Sequence, residues 1–130
     1  GGAGCEAAAM KPATPKERDI QRAILLFLEK IPWVTVWKTG GGMFPMTYKG
    51  KTRMVRMGKP GVSDLVGWVV PGARFLAIEV KRPKGELTPE QHWFLSKVKE
   101  AGGIAIVARS VTDVASALGL GAPARAKGAR

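Results

Sequence analysis

The chain has 130 residues, enough for one domain around one hydrophobic core, and its apolar fraction of 45% is that of a folded globular protein. No apolar run nears the roughly 18 residues a membrane span requires, and the single cysteine, Cys5, excludes a disulfide framework or a Cys-based zinc site. The net charge of +11, with a pI near 10.3, points to a polyanionic partner, nucleic acid first, with an acidic partner or plain cationic solubility as the other readings.

Residues 1–9 lack the basic start and long apolar stretch of a signal peptide and read as a leader ahead of Met10-Lys11, which has the form of a start. The folded domain is placed at residues 10–120, and residues 121–130, with Arg125, Lys127 and Arg130, read as a basic disordered tail that adds nonspecific DNA affinity. The lack of structural cysteine fits a reducing cytoplasm.

Residues 14–30 are predicted as a helix. Thr14, Pro15 and Glu17 have the form of a capping box with Pro at the first helical position. Ile20, Ile24, Phe27, Leu28 and Ile31 recur at helical spacing, and Pro32 is the stop. Val34–Lys38 is a short β-type run closed by Gly40, Gly41 and Gly42. From there to Gly58 the chain is basic and glycine-punctuated, with one strand expected at Thr52–Met57 after a mobile loop. Two β runs, Asp64–Val70 and Phe75–Arg82, form a hairpin around Pro71-Gly72-Ala73-Arg74. Thr88-Pro89-Glu90-Gln91 opens a second helix with a capping box; it runs through Phe94, Leu95 and Val98 and stops at Gly102-Gly103. Ile104–Ala108 is an apolar strand and Val111–Leu118 a last helix. This order predicts an α/β domain with a mixed central sheet flanked by helices.

The hairpin carries the candidate chemistry. If Val70 pairs with Phe75, then Val66 faces Glu79 and Asp64 faces Lys81. Directly paired residues share a face and side chains alternate, so Asp64, Glu79 and Lys81 project from one face at one end of the hairpin. Leu76, Ile78 and Val80 make the second run apolar on its other face too, the mark of a buried strand. Acids at the end of a buried strand are costly unless paired or bound. Two close carboxylates suit a hard divalent cation, Mg2+ or Mn2+, and Lys81 can stabilise charge growing on a phosphate or position a water. A structural ion pair among the three fits the same spacing equally well, and a one-residue slip would turn Asp64 to the opposite face.

Gly61-Val62-Ser63-Asp64-Leu65, Ala77-Ile78-Glu79-Val80-Lys81, Leu87-Thr88-Pro89-Glu90-Gln91 and Ala101-Gly102-Gly103-Ile104-Ala105 follow one another as in a VRR-NUC domain. That family belongs to the PD-(D/E)XK nuclease superfamily, and the ordered resemblance runs from about Glu17 to Asp113. It implies a restriction-endonuclease-like core and Mg2+- or Mn2+-dependent endonucleolytic cleavage of branched or structured DNA. Standalone members are similar to Holliday junction resolvases that act as homodimers, in bacterial or phage-infected cells. By resemblance, Asp64 and Glu79 are metal ligands, Lys81 is the catalytic lysine, Glu17 on the first helix is a further ligand, and Gln91 lies near the site. Glu17 and Gln91 each also fit a capping box alone. Two rival readings stand beside the nuclease: a noncatalytic DNA-binding module of the same fold, and a nuclease subunit that needs a partner.

Lys38, Lys49, Lys51, Arg53, Arg56 and Lys59 cluster ahead of Asp64 and are candidate phosphate contacts, with a solvated charged loop as the alternative. Trp33, Trp37, Trp68 and Trp93 are expected in the core or a dimer interface. Gly50-Lys51-Thr52 resembles the end of a P-loop, but Pro45 occupies the position of its first glycine, which excludes that motif. His92, the single histidine, is expected at the surface near a helix start.

Overall fold

A computed structural model describes residues 14–40, 42–57 and 61–120, and their side chains except at 42–44 and 55–57. The elements in chain order are α1 (Glu17–Leu28), β1 (Val34–Lys38), β2 (Gly42–Tyr48), β3 (Lys51–Met57), β4 (Leu65–Val69), β5 (Arg74–Val80), α2 (Pro89–Glu100), β6 (Ile104–Ala108) and α3 (Val111–Ala117).

The apolar run in β5 has neighbours on both sides. The main sheet has the order β1-β4-β5-β6, antiparallel except for the parallel β5–β6 pair that α2 connects. On one face, Ile20, Ile24 and Leu28 of α1 and Val114 of α3 pack on Leu65, Val69, Leu76, Ile78, Val80 and Ile106. On the other, Leu95 and Val98 of α2 pack on Ala77, with Ala105 and Val107 beside them. This is the mixed, helix-flanked sheet of a restriction-endonuclease-like core.

Several local expectations change. α1 starts at Glu17, and its N-cap is Lys16, which makes no side-chain capping bond; the Lys16 carbonyl accepts from Asp19 N at 3.0 Å and Ile20 N at 3.1 Å. Thr14 falls two residues ahead of that cap, so the Thr14/Glu17 box is not formed. The second box is: Thr88 Oγ1 accepts from Gln91 N at 3.1 Å and Gln91 Oε1 accepts from Thr88 N at 2.9 Å. α2 ends as a Schellman motif, with Gly103 N donating to Val98 O at 2.8 Å and Gly102 N to Lys99 O at 3.0 Å.

The β4–β5 register also moves. Val69 pairs with Arg74, Trp68 with Phe75, Val66 with Ala77 and Leu65 with Ile78, so the turn is Val70–Ala73 and each partner shifts by two residues. An even shift leaves the faces unchanged. It does set Asp64 across from Glu79 rather than from Lys81.

The segment read as a loop before β3 is a strand. β2 pairs with β3 from Gly42↔Met57 to Tyr48↔Lys51 as a separate two-stranded sheet. Its turn, Lys49-Gly50, has φ values of 51° and 76°, the type I′ pattern that normally announces itself with Asn or Asp before Gly. Pro45 is tolerated because both strands of this sheet are edges. Gly50-Lys51-Thr52 therefore lies at a hairpin turn, not before a helix.

The tryptophans divide. Trp33 packs against the core, but Trp37, Trp68 and Trp93 are exposed. α2 covers only the β5–β6 half of its face, which leaves Trp37 and Trp68 on the β1–β4 half, edge to face at 5.7 Å. His92 is exposed in the first turn of α2. Lys59, the side chain of Arg56, the leader through Met10-Lys11 and the tail with Arg125, Lys127 and Arg130 lie outside the described residues. No helix among the described residues is long and apolar enough to cross a membrane.

Candidate active site

β5 delivers Glu79 and Lys81 to the end of the sheet where β4 begins. Glu79 is 2% exposed, and the Lys81 ammonium, with its side chain 11% exposed, stands 4.0 Å from Glu79 Oε2. Asp64 precedes the first residue of β4, and its Oδ2 accepts from Val80 N at 2.7 Å. That charge-assisted bond fixes the carboxylate against β5. Thr39, just past β1, holds the Asp64 backbone: Thr39 N donates to Asp64 O at 3.0 Å and Thr39 Oγ1 to Ser63 O at 3.1 Å.

The start of α2 closes the site. Gly61 has φ +81°, and a Cβ there would overlap the Glu90 carbonyl, so only glycine lets the Gly61–Asp64 segment press against the first turn of α2. Gln91 in that turn donates from Nε2 to Glu79 Oε2 at 3.0 Å. The capping box holds its Oε1 toward Thr88 N, so the amide can only offer its NH2 to Glu79. The cap and the site contact coexist in one side chain. Beyond Lys81, the Arg109 guanidinium pins the following loop through Gly85 O at 2.7 Å.

Glu79 Oε1 is buried with no hydrogen-bond partner among the described residues. Burial first, then the neighbouring Asp64 carboxylate, push the Glu79 carboxyl up from an ordinary 4.5 to about 8; Lys81 opposes this and Glu17 adds to it. Without a metal, the Glu79 carboxyl therefore favours its protonated form at neutral pH. A buried orphan oxygen and two mutually repelling hard-oxygen donors fit a divalent cation such as Mg2+ or Mn2+. A structural ion pair alone would leave Glu79 Oε1 unsatisfied and its carboxyl far from an ordinary value.

Asp64, Glu79, Lys81 and Gln91 are thus brought together. Glu17 is exposed on the first turn of α1, near enough to act on Glu79 by its charge, but no group of three acidic, histidine or cysteine side chains is gathered as a metal cage among the described residues. Lys38 ends β1, while Lys49, Lys51 and Arg53 are exposed on the β2–β3 hairpin, with Lys49 Nζ 5.5 Å from the Tyr48 ring centre. Sequence reasoning missed three residues. Thr39 has no motif around it, Ser63 is fully buried beside Asp64, and Gln21 is buried one turn after Glu17. Gln21 left a signal as a polar residue bordering the apolar stripe of α1, and Ser63 as a member of the Gly61–Leu65 motif.

Comparison with curated proteins and with solved structures gave no match. The VRR-NUC domain model matches residues 45–112, more than half of the chain, a span that begins in β2 and contains Asp64, Glu79, Lys81 and Gln91. With the ordered motifs and the fold in agreement, the chain belongs to the VRR-NUC domain family, whose function is of nuclease type.

Proposed function

We propose that the protein is a divalent-metal-dependent endodeoxyribonuclease that cleaves branched DNA, four-way junctions among it, by phosphodiester hydrolysis. The observation that carries this reading is the Asp64–Glu79 pair at the end of a buried strand, with Glu79 pushed up to about 8 and Lys81 4.0 Å away. Asp64 and Glu79 would hold Mg2+ or Mn2+, with Glu17 as a further ligand from the rim. When bound, such an ion polarises the phosphate and lowers the pKa of a bound water. Lys81 offers a cation to the charge that grows on the phosphate oxygens. Gln91 keeps Glu79 in one orientation, and its second bond to the Thr88 cap keeps Gln91 itself in place. Water adds in line to phosphorus, the bond to one sugar oxygen breaks, and a phosphomonoester and a hydroxyl remain.

The net charge of +11 and the exposed Lys49, Lys51 and Arg53 favour binding through phosphate contacts. A four-way junction presents two symmetric strands, which suits a two-fold homodimer. The test is incubation of the purified protein with four-way junction, flap and linear duplex DNA in Mg2+, Mn2+ or EDTA, together with sedimentation. Metal-dependent cutting that favours branched DNA, by a dimer, is the expected result. Equal cutting in EDTA, or none of any substrate in either metal, would overturn it.

A further inference from the structure

α1 carries a second stripe beside its core-facing one. Arg18, Gln21, Arg22 and Leu25 follow one flank of the helix, and with Asp19 and Lys38 they bound a groove of about 420 Å3. Lys38 pairs with Leu65, whose side chain lies in the core under α1, so Lys38 projects to the α1 side of the sheet. Three cations against one carboxylate give this lining a positive charge. Gln21 is 9% exposed and lines the groove, yet its amide makes no hydrogen bond among the described residues. The amide meets solvent in the groove, and a ligand with acceptor oxygens would replace that water as its partner.

Two links bring the groove near the acid pair, around the end of the sheet. Glu17, one turn before Gln21 on the same flank, acts on Glu79 by its charge. Thr39, the residue after Lys38, donates its backbone N–H to Asp64 O. All six lining residues precede residue 45, where the family match begins, so the match assigns them nothing.

We propose that this groove is a second phosphate site, holding a backbone phosphodiester of the nucleic acid that flanks the one to be cut. Arg18, Arg22 and Lys38 supply the charge, and guanidinium forks match phosphate oxygens. Gln21 supplies a neutral donor. The proposal rests on the nuclease reading of Asp64, Glu79 and Lys81 for its account of which phosphate is cut.

The test uses the full chain in EDTA with DNA in which single phosphates are replaced, one at a time, by neutral methylphosphonates. Wild type should lose affinity about tenfold at an internal linkage next to the cleavage position. The exposed double variant Arg18→Gln/Arg22→Gln should lose that sensitivity while keeping the others, and its log–log salt slope should shrink by about 0.9 for each phosphate it no longer neutralises. Arg18→Lys/Arg22→Lys should restore the slope. Gln21→Leu should weaken binding with the slope unchanged, because it removes no charge. An unchanged interference profile and slope in the Gln double variant would overturn the proposal, as would sensitivity confined to a terminal phosphate. The two readings fail separately. A lost interference position in a protein that cuts nothing sinks the nuclease reading alone, and an unchanged profile in a protein that cuts sinks the groove alone.

Discussion

Gln91 donates to Glu79 Oε2 at 3.0 Å while its own carbonyl oxygen caps Thr88 N at 2.9 Å. A helix-start signal readable from four residues of sequence therefore also orients a buried carboxylate. The two roles separate by substitution. Thr88→Ala removes the hydroxyl half of the cap and should cost about 1 kcal/mol of stability while leaving turnover near wild type. Gln91→Glu keeps an acceptor for Thr88 N but turns a carboxylate toward Glu79. It should lower turnover far more than it lowers the unfolding midpoint, both read on one preparation. Equal turnover in the two variants would reduce Gln91 to a cap.

A pH dependence follows from the raised Glu79 carboxyl. Its ordinary value of 4.5 stands for the unfolded chain and about 8 for the fold, so the native state binds the proton more tightly. The associated stability is complete below about 4.5, declines as pH rises, and is lost once pH passes about 8. In EDTA, the urea midpoint of wild type should fall across that window, and Glu79→Gln should flatten this decline. Binding of Mg2+ or Mn2+ below pH 8 should release a proton, seen calorimetrically as a buffer-dependent heat. A midpoint with the same pH dependence in Glu79→Gln would mean that another group is responsible.

The absence of a side-chain cap at Lys16 changes what Glu17 can be doing. Glu17→Gln should leave the melting temperature near wild type, because it removes no capping bond. It should also weaken Mg2+ or Mn2+ binding and lower turnover. Full metal affinity and full turnover in this variant would confine Glu17 to a bystander charge.

Much of the fold was legible because periodicity and caps were strong. β1 and β6 fall where the apolar runs lie, and Thr88-Pro89-Glu90-Gln91 marks the start of α2. β3 was legible, but β2 and the turn that joins them were not, since Lys49 stands where a turn of its type usually shows Asn or Asp and Pro45 argues against a strand. For the site, alternation placed Asp64 and Glu79 on one face, and an error of two residues in register could not move them off it. What the sequence could not convey was depth. The orphaned Glu79 Oε1, the Val80 N–H held by Asp64 and the buried Gln21 all depend on segments distant in the chain coming together.

The basic face of the β2–β3 hairpin gives a prediction of its own. Lys51 and Arg53 share a face with Tyr48 and Met46 by register, and Lys49 sits at the turn. Lys49→Gln/Lys51→Gln/Arg53→Gln should weaken binding to every DNA shape in EDTA and flatten the salt slope, by about 0.9 for each phosphate the variant leaves unneutralised. Preference for branched over linear DNA should persist, because phosphate contacts do not read shape. An unchanged slope would place the DNA elsewhere.

The central claim is that Asp64, Glu79 and Lys81 hydrolyse phosphodiester bonds rather than merely pair in the fold. Single-turnover cleavage of a four-way junction in Mg2+ or Mn2+, by wild type and by Asp64→Asn, Glu79→Gln and Lys81→Ala, tests it most directly, with DNA binding in EDTA measured on the same samples. The account predicts cutting by wild type alone, with all three variants folded and still bound to the junction. Wild-type cutting rates in either carboxylate variant would contradict it.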